Sequence, residues 1–119
     1  MESTLNVKTN YGPPVGWKTA EGNTYSANLH IILFKTEFVL PWGRFLYASG
    51  SNDQVVLSFA THNVLVTGYG LDHLLADITA QRLVSLYEVH RADKFRAAGT
   101  PEPKGAIEEL IVRSLEDEE

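Results

Sequence analysis

Hydrophobic positions along the chain change their spacing three times. Up to about residue 27 the apolar side chains Leu5, Val7, Tyr11, Val15, Trp17 and Tyr25 follow no sustained period, and Gly12-Pro13-Pro14, Gly16 and Glu21-Gly22 interrupt them. Proline fixes φ and removes a backbone donor, while glycine opens positive φ, so this stretch predicts turns and extended chain. Residues 1–27 read as an irregular arm, with a short strand near Leu5–Lys8 and Trp17 as its anchor to the core.

From residue 28 the pattern is that of strands. Leu29-His30-Ile31-Ile32-Leu33-Phe34 is rich in branched and aromatic side chains and bounded by polar ones, which predicts a strand. Thr36–Leu40 continues it, and Pro41 with Gly43 supplies a break or bulge. Arg44–Ala48 reads as the next strand and Ser49-Gly50-Ser51-Asn52-Asp53 as a turn. Gln54–Ala60 follows as a strand with Val55, Leu57 and Phe59 on one face. Thr61-His62-Asn63 makes the next turn and Val64–Thr67 the strand that leaves it. Loops this short join antiparallel neighbours, because a parallel pair needs a crossover of a dozen residues or more.

After Gly68-Tyr69-Gly70 the period becomes helical. Leu71, Leu74, Leu75 and Ile78 share one face, with Asp72, His73, Asp77 and Thr79 on others, and a helix over 71–81 follows. Asp72 near its start and Arg82 near its end complement the helix dipole. Leu83–Val89 alternates again as a strand, and His90–Gly105, charged and punctuated by Gly99, Pro101 and Pro103, reads as a loop. Ala106–Leu115 fits either period; the branched Ile111 and Val112, and the breakers before them, favour a strand. The fold class expected is α+β: an antiparallel β meander of about five or six strands with one principal helix near 71–81. Residues 28–115 form the single domain and 116–119 an acidic, frayed tail.

Composition narrows the picture. The 119 residues are 44% hydrophobic and 21% charged, as in an ordinary globular domain, and too few for two independent cores. There is no cysteine, which removes disulfides, thiolate metal sites and a thiol nucleophile. Met1–Asn10 has no apolar core, and Leu29–Trp42 is interrupted by Lys35, Glu37 and Pro41. No secretory signal and no membrane span are therefore expected, and a cytoplasmic address is. The net charge is −5; residues 1–60 balance four basic against four acidic side chains, so the excess lies in the second half. That field opposes a phosphate backbone, and nucleic acid is not the expected partner.

Candidate chemistry is sparse. His73 and Asp77 are four apart on the expected helix and can meet on one face, and His62 precedes it in a turn. Together these three could hold a metal or a small ligand, against the plainer reading of a surface histidine beside a surface carboxylate. Gly68 and Gly70 precede a helix N-terminus, where backbone amides attract anions. The third glycine, the lysine and the hydroxyl of a nucleotide-binding loop are missing, and a simple helix-opening turn explains both glycines. Ser58, Thr61 and His62 suggest a nucleophile and base, but Ser58 sits in mid-strand with no elbow around it, so no catalytic residue is assigned. Arg91, Lys94 and Arg96, with Phe95 between them, form the one basic cluster with an aromatic, diluted by Asp93.

Phe38, Trp42, Phe45 and Tyr47 form an aromatic group that is either a core cluster under the arm or an interface. One helix cannot cover a sheet of this size, so a homo-oligomer, a dimer first, is expected. The reading is a non-catalytic binding or assembly module with no cofactor and no metal. The alternative is a small ligand- or metal-binding enzyme using His62, His73 and Asp77.

Overall fold

In the computed structural model the alternating apolar residues become strand interiors, and the positions at which alternation fails become the turns. The structure describes residues 11–22, 24–89 and 102–118. Eight strands lie among the described residues: β1 Trp17–Thr19, β2 Asn28–Ile32, β3 Glu37–Pro41, β4 Phe45–Gly50, β5 Gln54–Phe59, β6 His62–Tyr69, β7 Leu83–Tyr87 and β8 Ala106–Ser114. An α-helix, α1, spans Leu71–Thr79 between β6 and β7. The fold is α+β and mostly antiparallel, with eight strands among the described residues rather than five or six.

The strands form two sheets rather than one meander. The first has the order β1-β7-β2-β3 and the second β4-β5-β6-β8. Within the second, β4, β5 and β6 are consecutive antiparallel neighbours, and β8 returns antiparallel to β6. The first contains a parallel pair, β2 with β7; the intervening strands and α1 supply the long crossover that such a pair demands.

Two differences from the sequence reading have physical causes. Thr36–Leu40 does not continue the strand before it. The Leu33 N–H donates to the Thr36 carbonyl at 2.8 Å, and Glu37–Pro41 folds back onto Asn28–Ile32 as a hairpin. Its partner is set by register, which places Phe38 beside Ile31 and Leu40 beside Leu29, all on the apolar face.

The second difference is the arm. Trp17–Thr19 is a strand paired to β7, and Val15 bridges Ala106 at the start of β8. Arg82 holds the following segment by donating to the carbonyls of Ala20 and Gly22. Long-range pairing, which local spacing does not encode, thus makes structure of a segment rich in breakers. The suggested strand at Leu5–Lys8 and most of the loop from His90 lie outside the described residues, while Leu115–Glu118 makes a 3-10 turn.

One contiguous core draws on both sheets and the helix: Trp17, Leu29 and Ile31 from one side, Val55, Leu57, Phe59, Val64 and Val66 from the other, and Leu71 with Leu74 from α1. Residues 71–81 were the expected helix, and it ends two residues sooner. The Gln81 N–H donates to the Ile78 carbonyl at 3.0 Å and the Arg82 N–H to the Asp77 carbonyl at 2.9 Å. These are the paired bonds of a Schellman cap, with Gln81 at φ 60° where glycine is the usual residue.

Candidate functional site

The chain crosses from one sheet to the other at Pro41-Trp42-Gly43. β3 is an edge of the first sheet and β4 an edge of the second, and a 3-10 turn, Trp42–Arg44, joins them. Proline at the end of β3 removes a ladder donor and suits an edge. The Trp42 N–H donates to the Ala27 carbonyl at 3.0 Å, so the segment before β2 is drawn against this corner. The indole packs on Phe45 at 5.1 Å and on Phe59 at 5.6 Å between centroids, and Phe45 meets Phe59 at 5.3 Å. Such edge-on and tilted arrangements suit ring quadrupoles and fix each ring against the others.

A cleft of about 470 Å³ opens beside this cluster, within the range of roughly 300–1,000 Å³ typical of small-molecule sites. The β3–β4 connection contributes Trp42, Gly43 and Phe45; the segment before β2 contributes Tyr25 and Ser26; the end of α1 contributes Ile78, Thr79 and Gln81. None of these side chains is a carboxylate, a histidine, a lysine or an arginine. The Ser26 hydroxyl donates to the Asn28 carbonyl at 2.7 Å and the Thr79 hydroxyl to the Leu75 carbonyl at 2.9 Å. Both hydroxyls therefore have only acceptor lone pairs left, one of which, on Ser26, takes the Asn28 N–H at 3.3 Å. The Gln81 carboxamide, with two donors and an acceptor, is projected from a left-handed residue that glycine would occupy with less strain.

The residues expected to carry chemistry are dispersed. His62 opens β6, with Nδ1 2.8 Å from the Thr61 hydroxyl and its ring edge-on to Phe38 at 5.6 Å. His73 is exposed on α1. Asp77 is engaged elsewhere: its Oδ2 accepts the Trp17 indole N–H at 2.9 Å. Among the described residues no group of three or more histidine and carboxylate side chains could hold a metal.

Gly68 and Gly70 are explained by packing. A Cβ on Gly68 would strike the Ala106 carbonyl, and one on Gly70 the Lys104 carbonyl. The amide at the helix start is also engaged, the Leu71 N–H donating to Asn52 O at 2.9 Å and Gly68 N–H to Asp53 O at 3.1 Å. Ser58 pairs with Tyr47 on one side and Asn63 on the other. Arg91, Lys94 and Arg96 lie outside the described residues.

The aromatic group divides. Phe38, Trp42 and Phe45 are half-buried against the core, whereas Tyr47 is 60% exposed beside Leu46 at 63%. Two members, Trp42 and Phe45, therefore line the cleft. Sequence reasoning missed Tyr25, Ser26, Ile78, Thr79 and Gln81, which come from two separate segments. Only a glutamine at the end of a helix without a glycine stop offered a signal, because the cap demands a left-handed residue there.

No protein-family model, no curated protein and no solved structure matches the chain. Among the described residues no helix is long and apolar enough to cross a membrane.

Proposed function

We propose that the protein is a non-catalytic binding module whose working site is the cleft between Trp42 and the end of α1. The observation that carries this reading is the composition of the cleft. Three aromatic rings and Ile78 supply apolar walls, and Gln81 supplies a convergent polar group, the usual make-up of a ligand site. What supports a binding rather than a catalytic role is that, among the described residues, no histidine or carboxylate lines it. The alternative enzyme reading draws no support from His62, His73 and Asp77, since Asp77 already serves Trp17.

The experiment is a fragment screen read by the two indole N–H resonances of the labelled protein, one for each tryptophan. Ligands of the cleft move the Trp42 signal and leave that of Trp17, which is 1% exposed and hydrogen-bonded. A screen in which no ring compound moves Trp42 removes the reading.

A second part of the proposal is self-association. Leu46 and Tyr47 on the edge strand β4, and Val39 on the edge strand β3, are large apolar side chains left in solvent. Exposed apolar edges favour a two-fold dimer, and the mass of the native protein by light scattering tests it.

A further inference from the structure

We infer that the cleft takes an uncharged heteroaromatic ring that carries a hydrogen-bond donor beside an acceptor, the edge chemistry of a nucleobase or nucleoside. This rests on the cleft being a binding site and adds what that site selects.

Three observations converge on the class. The first is shape. The Trp42, Phe45 and Phe59 rings brace one another at 5.1 to 5.6 Å, so the wall is set before a ligand arrives. A flat ring stacks on such a wall with little loss of side-chain freedom, and base–aromatic stacking is sequence-tolerant and strong.

The second is the pattern of polar groups. Ser26 and Thr79 have spent their protons on the Asn28 and Leu75 carbonyls. They accept only, while the Gln81 carboxamide both donates and accepts. A carboxamide recognises a neighbouring donor and acceptor in bidentate fashion, as glutamine does with adenine.

The third is strain. Gln81 stands at φ 60° in a helix cap that glycine would fill without penalty. A residue held in a sparsely populated conformation points to a role for its side chain, and this one lines the cleft.

Charge sets the limit of the class. Among the described residues no cationic side chain lines the cleft, and Arg82, next to Gln81, commits its guanidinium to the carbonyls of Ala20 and Gly22. With a net charge of −5 overall, the described lining gives a phosphate no cation to pair with, and exposed Arg44, between Gly43 and Phe45, is not part of that lining. The ligand is therefore a base or nucleoside and not a nucleotide.

The test titrates adenine, adenosine, AMP and indole into labelled protein, following the Trp42 indole and Gln81 carboxamide signals. The wild type is compared with Gln81→Gly, which keeps the cap, and Gln81→Asn, which keeps a shorter amide in a residue tolerant of this conformation. Adenine and adenosine are expected to move both signals, and AMP to bind no more tightly than adenosine. Gln81→Gly should weaken adenine about tenfold, as for the loss of two neutral hydrogen bonds, without lowering the melting temperature. Gln81→Asn should recover part of that loss. Indole has a donor but no acceptor; if it binds as tightly as adenine, and Gln81→Gly leaves adenine unchanged, the edge is not read and the ligand class is wrong while the cleft stands. AMP binding more tightly than adenosine overturns the class as well. If none of the four moves Trp42, the inference and the cleft reading both fall.

Discussion

The Trp17 indole N–H donates to Asp77 Oδ2 across 2.9 Å, tying the first strand to the helix sixty positions later. Trp17 is 1% exposed, and its ring can bury fully because its one polar atom has a partner. Asp77, placed with His73 on sequence spacing, thus serves the core.

Removing that carboxylate leaves a nearly buried donor unpaired. Asp77→Ala should cost about 1–3 kcal/mol in urea unfolding, while His73→Ala, on the exposed face of α1, should stay within about 0.5 kcal/mol. Equal effects from the two would mean that the indole bond contributes nothing.

Gly70 stands at φ 65° with the Lys104 carbonyl against its missing Cβ. Gly70→Ala combines a left-handed backbone with a steric clash, and should lower stability by more than about 1 kcal/mol. Soluble phosphate should not protect the wild type from thermal unfolding, because the Leu71 amide already meets Asn52 O. A melting temperature that climbs with phosphate would restore the anion reading.

How much of this was legible depends on the range of the forces involved. The strands β4 to β6 and the helix were readable, because Val55, Leu57 and Phe59 alternate within one segment and Leu71, Leu74 and Ile78 recur within another. The hairpin of β2 with β3 is local, but no glycine or proline marks its turn over residues 33–36, whereas the parallel pair of β2 with β7 and the strand at Trp17 are set by partners far along the chain. No local period records them. The cleft is a further step away: Trp42 and Phe45 stood out as aromatics, but Tyr25 and Gln81 reach them only after both sheets and the helix have assembled.

Phe59 lies beneath the cleft, 1% exposed and in ring contact with both Trp42 and Phe45. Phe59→Ala should cost about 3–5 kcal/mol. Phe59→Leu, which keeps most of the volume, is the informative variant. It should remain folded yet lose near-UV ellipticity and shift Trp42 emission to the red, as the indole loses its brace. Unchanged aromatic signals in a folded Phe59→Leu protein would show that the wall does not depend on the third ring.

The edge of β4 gives the last prediction. The Ser51 N–H donates to the Gln54 carbonyl at 2.7 Å, and Ser49 pairs with Val56 and Tyr47 with Ser58 in the same register. Bonding alternates along an antiparallel pair, so Tyr47, Ser49 and Ser51 turn their backbone groups toward β5. Ala48 and Gly50 turn theirs to the free edge. The register shifts between Phe45 and Tyr47, and such a bulge twists the strand away from further pairing at that point. A second copy would therefore add antiparallel to the Tyr47–Gly50 half, with Tyr47 and Leu46 packing across the two-fold axis. Light scattering on the eluting wild type should give a dimer mass at high micromolar concentration, and Leu46→Lys should shift it to monomer without lowering the melting temperature. Gln81→Gly, at the cleft, should leave the mass alone. A wild-type protein that elutes as monomer at that concentration refutes the dimer, and a Leu46→Lys protein that stays dimeric moves the interface off this edge.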